Sequence, residues 1–308
     1  MDALDAQVLA AVAAAPAPVA VVAERLRADG AAVEEAVRSL RERGRLRGDA
    51  PAVELADGLA YRGAVIEGLV PPAYRVELRQ TVDSTNRLAA DRLEAGGERI
   101  LVVAEAQTAG RGRQGRSWRS PRGGIWASFG DAHPHRASTG WVEGLALAMA
   151  VVDVVDGLGL DARLKWPNDV TLDGGKLAGV LVSATTVGAT RTRTVAGVGL
   201  NANVEPADLP TGSTSLQSHV GPVVRAPILA AIAWAFEGYR RDREETLAAW
   251  RGRCDTVGRA VVVETTDGRV RGVATGLTAD GALEVDTDGE TLAIRPERCR
   301  RLRHGGPP

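Results

Sequence analysis

Lysine is nearly missing from this sequence: of 38 basic residues only Lys165 and Lys176 are lysines, and the rest are arginines. A chain that uses arginine almost everywhere yet keeps two lysines eleven positions apart marks places where a compact ammonium on a flexible stem does what a planar guanidinium does not. Asparagine is almost as scarce, confined to Asn86, Asn168, Asn201 and Asn203. The only cysteines, Cys254 and Cys299, have no CxxC or Cys/His spacing, so neither a disulfide framework nor a zinc site is indicated and reduced thiols are expected. Membrane-length apolar runs are lacking too. The run from Leu145 to Val155 is too short to span a bilayer and contains Asp153, while Asp2 and Asp5 stand where a secretory signal carries positive charge. A cytoplasmic protein without membrane contact is expected. The formal charge of −1 argues against wholesale binding to nucleic acid.

What the chain does have is an anion clamp. Glu105 to Gly124, EAQTAGRGRQGRSWRSPRGG, combines glycines, which let backbone N–H groups close on phosphate oxygens, with Arg111, Arg113, Arg116 and Arg119, whose forks match phosphate and carboxylate oxygens in pairs. Gly110-x-Gly112-x-x-Gly115 also spells a dinucleotide fingerprint, but that reading needs a helix at the third glycine, and Pro121, Gly123 and Gly124 forbid one. A solvated arginine loop that sticks to nucleic acid is the plainer alternative.

With 308 residues, 44% of them hydrophobic, the chain has room for two or three domains. Residues 1–63 show three helical periodicities, then two short β-like pieces around Val53 and Leu59 to Tyr61 joined by Asp57-Gly58, which predicts a winged helix-turn-helix. Its reading helix, Ala31 to Arg43, carries Glu34 and Glu35, and the unit sets eight arginines against ten carboxylates. Carboxylates facing phosphates repel, so a unit kept for packing competes with a DNA reader.

Pro71-Pro72 leads into a central domain, 75–254. It begins with a strand at Val76 to Leu78 and the capping run Asp83-Ser84-Thr85-Asn86, which holds more capping residues than one helix start needs. Strands are expected at Ile100 to Ala104, Ile125 to Phe129, Arg163 to Trp166, Val170 to Leu172, Leu177 to Ser183 and Thr194 to Leu200, with long helices over Trp141 to Val155 and Ile228 to Arg251. Residues 257–303 alternate as four strands separated by Asp-Gly turns, which predicts a small SH3-like barrel. The whole is an α+β architecture with a mixed central sheet.

In order, Asp83-Ser-Thr-Asn86, Gln107-Thr-Ala-Gly-Arg-Gly-Arg-Gln-Gly-Arg116, Lys165-Trp-Pro-Asn-Asp169, Gly175-Lys-Leu-Ala-Gly-Val-Leu181 and Gly199-Leu-Asn-Ala-Asn203 resemble the biotin protein ligases, of the bifunctional ligase/repressor type with an N-terminal winged helix. The resemblance implies a class II synthetase-like catalytic domain and a biotin–[biotin carboxyl-carrier protein] ligase. Such an enzyme makes biotinyl-5′-AMP from biotin and MgATP and passes the biotin to a lysine of a carrier domain. Lipoate or octanoate ligases of the same fold class are the alternative.

Carried over by position, the resemblance assigns Ser84, Thr85 and Asn86 to the ureido head of biotin and Gln107 to the same ligand. It gives Arg111, Gly112 and Arg113 to the biotin carboxylate and α-phosphate, and Lys176 to the reacting centre, with Lys176, Arg113 and Arg111 as the catalytic set. The nucleotide falls to Gly110, Arg113, Arg116, Trp118 (stacked on adenine), Lys165, Asn168, Asp169 (with Mg2+) and Asn201. A C-terminal arginine among Arg300, Arg301 and Arg303 completes the ATP site, and the loop around Thr214, Ser215 and Leu216 is a candidate lid. Operator DNA and a homodimer through an exposed sheet edge are the partners the resemblance leaves open.

Overall fold

The computed structural model describes residues 1–48, 52–134, 140–187, 191–287 and 289–305. Three helices, α1 (Ala3–Ala11), α2 (Val19–Leu26) and α3 (Gly30–Glu42), pack Val8, Leu9, Val22, Val33, Val37 and Leu40 into one core. The helix starts are chemically marked: Asp2 and Asp5 form a reciprocal capping box on α1, and Asp29 accepts from Ala32 N on α3. A small sheet joins them, made of β1 (Ala17–Pro18), β2 (Leu46–Arg47) and β3 (Ala52–Leu55), in the order β1-β3-β2. This corrects the strand expected at Leu59 to Tyr61. The hairpin lies one step earlier, between Leu46 and Leu55, because Leu46 and Val53 are buried, while Leu59 leaves the Asp57-Gly58 turn as a core plug outside any strand.

After α4 (Gly63–Glu67) comes the central sheet. Its early elements are β4 (Arg75–Val82), α5 (Thr85–Glu94), β5 (Arg99–Gln107), β6 (Ile125–Pro134) and α6 (Gly140–Gly157); then follow β7 (Arg163–Lys165), β8 (Asp169–Leu172), β9 (Gly175–Val187) and β10 (Arg191–Leu200). Seven strands run in the order β4-β5-β6-β10-β9-β8-β7; only β4 and β5 are parallel, so the sheet is mixed. Helix α6 is buried nearly all round, with Leu147, Met149, Val151, Val152 and Val155 all at 2% exposure or less, which explains its largely apolar sequence. Each such side chain contributes about 1.5–3 kcal/mol of burial. On the opposite face α5 closes a second, smaller core of Ala89, Leu93, Ile100, Val102 and Val195.

The helical stretch expected from Ile228 to Arg251 is two helices after the short α7 (Gln217–Val220): α8 (Arg225–Tyr239) and α9 (Arg243–Arg253). Asp242 breaks the run by accepting from Glu245 N as the N-cap of α9. The C-terminal sheet holds β11 (Ala260–Thr265), β12 (Arg269–Leu277), β13 (Leu283–Asp286), β14 (Thr291–Ile294) and β15 (Cys299–His304), in the order β14-β13-β12-β11-β15. Strand β15 was not expected, since its sequence CRRLRH hides two buried residues, Cys299 and Leu302, among arginines.

The parts are bonded to one another. Val224 N donates to Ala13 O at 2.9 Å, and Trp234 Nε1 to Leu69 O at 3.0 Å. Trp166, 2% exposed, donates from its indole to Gly281 O of the C-terminal sheet at 3.0 Å, so this tryptophan is an interior tie. Among the described residues no helix is long and apolar enough to cross a membrane.

Candidate active site

The sequence-marked residues converge on two adjoining cavities at one end of the central sheet. The smaller, about 120 Å³, is floored by bare backbone. Gly179 and Gly199 are register partners on β9 and β10, and a Cβ on either would meet the Trp118 indole, at 2.9 and 2.6 Å. A Cβ on Gly197 would fall 1.9 Å from Asn86 Oδ1. Glycine inside a strand here is a close-approach requirement.

Its polar wall is a chain of side-chain hydrogen bonds. Ser84 stands at the N-cap of α5 without capping it, so its buried hydroxyl is left for other work. Thr85 N donates to Gln107 Oε1 at 2.8 Å, and Gln107 Nε2 donates to Ser120 Oγ at 2.7 Å. Asn86 is held at both ends: Nδ2 donates to Leu181 O at 3.1 Å while Oδ1 accepts from Ser128 Oγ at 2.5 Å. Those partners fix which way the amide faces and leave it one free N–H and one free lone pair.

The larger cavity, about 620 Å³, is lined by Arg116, Arg119, Lys165, Lys176, Arg300 and Arg301 among others, and among the described residues Asp169 is its only carboxylate. Among the described residues Arg111, Arg119, Lys165, Arg300 and Arg301 have no ion-pair partner. Walls so rich in unpaired cations focus a positive potential that suits a polyanion. Of the C-terminal arginines, Arg300 and Arg301 are in this wall and Arg303 is not.

Lys176 lines both cavities, as do Arg113, Arg116, Trp118 and Asn168. Its ammonium lies 2.6 Å from Asp169 Oδ1 and 4.9 Å from the centre of the Trp118 ring. Arg111 and Gly112 line the smaller cavity, and Gly110 is packed so tightly that a Cβ would lie 2.5 Å from Trp118 O.

Two expectations meet different geometry. Arg113 turns toward the C-terminal sheet, donating to Pro296 O, to Cys299 O at 3.2 Å and to Asn168 Oδ1 at 3.3 Å; burial pushes its pKa below the ordinary arginine value. Its neighbour Gln114, in the left-handed region at φ 54°, donates to the same Cys299 O at 3.0 Å. Asn201 sits in the wall of the larger cavity, but its amide donates to Thr214 O at 3.0 Å and so ties down the expected lid. The Cys299 thiol is pushed up to about 11 by burial, partly offset by Arg113 and Arg116, so it is no nucleophile at neutral pH.

Sequence reasoning missed Ser128 and the floor glycines. The glycines had a signal: Gly197-x-Gly199 in a strand places two missing side chains on one face, beside Gly179. Ser128 had none, being one serine in the apolar strand β6.

Residues 78–201 match the model of the biotin/lipoate A/B protein ligase family, and 256–295 that of the biotin protein ligase C terminal domain. The biotin--[acetyl-CoA-carboxylase] ligase of Mycobacterium tuberculosis is 35% identical over 228 residues, covering 68% of this chain and 83% of that protein. The bifunctional ligase/repressor BirA of Escherichia coli is 30% identical, covering 70% of each. Among solved structures, the biotin protein ligase from Aquifex aeolicus in complex with biotin and ATP superposes with a TM-score of 0.61 at 24% identity, covering 75% of this chain and 99% of that one, a likeness of fold.

Proposed function

This chain belongs to the biotin protein ligase family, and from that premise we propose that it activates biotin with ATP to biotinyl-5′-AMP and transfers the biotin to a lysine of a carrier domain. The observation that carries the assignment of the site is Lys176, a lysine at the junction of a polar, glycine-floored cavity and a cationic one. Biotin belongs in the smaller cavity, its ureido head facing Ser84, Thr85, Asn86 and Gln107. ATP belongs in the larger, its phosphates among Arg116, Lys165 and Arg300 or Arg301, with Asn168 and Asn201 beside it and adenine against Trp118.

At the junction a carboxylate oxygen of biotin attacks the α-phosphorus and pyrophosphate leaves. The ε-amine of the acceptor lysine then attacks the anhydride carbonyl and AMP departs. Such chemistry needs alignment and charge neutralisation, and Arg111, the Gly112 backbone and Lys176 supply both. Lys176 is held by Asp169 in the free protein; an arriving carboxylate or phosphate takes over that contact. Asp169, once released, would be the residue to hold Mg2+, an ion usually bound by one or two carboxylates plus the nucleotide. When bound, Mg2+ lowers the charge of the polyphosphate. Arg113 serves the same centre once it leaves its carbonyl partners.

Three helices with a three-stranded sheet support a winged helix over residues 1–63, and five antiparallel strands support an SH3-like barrel over 257–303, flanking a catalytic domain at 75–254. Operator binding is the weaker half of a ligase/repressor reading: Glu34 and Glu35 are exposed on α3, Arg38 is paired with Glu35, and Arg43 with the buried Asp5 at 2.7 Å. A homodimer would have the largely uncovered edge strand β4 available. The function is tested by mixing the protein with MgATP and either biotin or lipoate: pyrophosphate release with biotin supports the reading, and release driven by lipoate alone replaces it with the lipoate ligase.

A further inference from the structure

Pro210 to Ser213 form one wall of the larger cavity, and they reach it as a strand-like segment laid beside the start of β9. Lys176 N donates to Gly212 O at 2.8 Å and Thr214 N to Lys176 O at 3.0 Å. The backbone of Lys176 and this wall of the larger cavity are thus one unit. What fixes that unit from behind is a side chain outside both cavities. His219, on α7, has Nε2 2.8 Å from Thr214 Oγ1 and Nδ1 3.4 Å from Asp173 Oδ2, with its side chain 19% exposed. Asp173 sits in the left-handed turn, φ 48°, that delivers the chain into Lys176. The imidazole therefore bridges the turn before Lys176 to the segment paired with it.

We propose that His219 is a positioning residue for the nucleotide site: by latching Thr214 to the Asp173 turn it holds the 210–213 wall, and with it the backbone of Lys176, in the register that ATP requires. With Nε2 accepting the Thr214 hydroxyl proton, the ring hydrogen is on Nδ1, the nitrogen nearer the Asp173 carboxylate. Asp173 is largely exposed, so the Thr214 contact is the stronger half of the latch. His219, Thr214, Asp173 and the 210–213 segment lie outside the smaller cavity, which shares only Lys176 with this unit. Loss of the latch should therefore weaken the use of ATP and leave that of biotin nearly unchanged.

The inference rests on assigning the larger cavity to ATP, and its test separates the two. Steady-state pyrophosphate release is measured for the parent, His219→Ala, Thr214→Val, the double variant, and His219→Gln, whose amide can reach Thr214 where the imidazole does. The expected result is a KM for ATP raised roughly three- to tenfold, the scale of one hydrogen bond, in His219→Ala and Thr214→Val, no further rise in the double variant, and substantial recovery in His219→Gln. The KM for biotin and the Tm should stay close to those of the parent. Additive losses, equal rises in both KM values, a fall in Tm that tracks the loss, or no change would overturn it. A parent that releases no pyrophosphate with biotin would instead fault the functional reading.

Discussion

Lys176 and Asp169 form an ion pair of 2.6 Å across the hairpin of β8 and β9, on the line where the two cavities meet. Pairs that stay partly exposed, as these side chains do at 32% and 25%, contribute little to stability, so the pair is better understood as a poised contact that substrate can take over. An arginine at 176 would grip Asp169 with two parallel hydrogen bonds and present a wider group to the reacting oxygens. Lys176→Arg is expected to slow biotinyl-adenylate formation by roughly a hundredfold, about 2.7 kcal/mol, with the Tm unchanged. Lys165→Arg, farther along the cationic cavity, should cost less. Pyrophosphate release at saturating biotin and ATP checks both, and a Lys176→Arg enzyme as fast as the parent would remove the significance given to the two lysines.

Gly197→Ala tests the glycine floor. The new Cβ would occupy the position of Asn86 Oδ1 at 1.9 Å, and Asn86 is pinned by Ser128 and Leu181 O, so the amide must leave its place. The KM for biotin should rise about tenfold or more, as expected when buried polar partners are mispaired, with a smaller effect on the KM for ATP. Equal affinity for biotin in the variant would mean that Asn86 does not meet the ligand.

The site was legible where rare residues carry it and hidden where common ones do. Two lysines and four asparagines in 308 residues pointed to the junction and to Asn86 directly. The Gly/Arg loop was readable from composition as a candidate anion clamp, and its Arg111, Gly112, Arg113 and Arg116 line the smaller cavity. Strand β15 was not, because alternating burial in CRRLRH is masked by arginines, and its residues reach the cavity only through the packing of the C-terminal sheet. The partners of Arg113 were likewise beyond the sequence, since the carbonyls of Pro296 and Cys299 are 183 and 186 residues away along the chain. Long-range contacts between backbone and side chain leave no local pattern to read.

Those contacts predict how the loop responds to ligand. In the free protein Arg113 and Gln114 moor the loop to the C-terminal sheet, while Arg111, Arg116 and Arg119 lie exposed. Hydrogen exchange across residues 110–124 should therefore slow strongly when biotinyl-adenylate binds, each ordered residue having lost roughly 1–2 kcal/mol of backbone entropy. Residues 212–216, already bonded to Lys176, Asn201 and His219, should change much less. Equal protection of 110–124 with and without ligand would contradict this picture.

DNA binding should be weak. With Arg38 and Arg43 engaged by Glu35 and Asp5, few cations on or beside α3 remain to displace counterions. Titration of a biotin-operon promoter fragment at physiological salt is expected to show at most weak, adenylate-insensitive binding. A tight complex formed only with the adenylate would show that the N-terminal unit is a working operator reader.

Transfer of biotin to a carrier lysine is read out by mass spectrometry of the carrier. A biotin carboxyl carrier domain is incubated with the protein, MgATP and an equimolar mixture of biotin and lipoate. A single added biotin is expected, lost when the acceptor lysine is replaced by arginine and nearly abolished by Lys176→Arg within the same reaction time. A carrier that gains lipoyl instead, or that gains nothing while the wild-type protein consumes ATP, would contradict it.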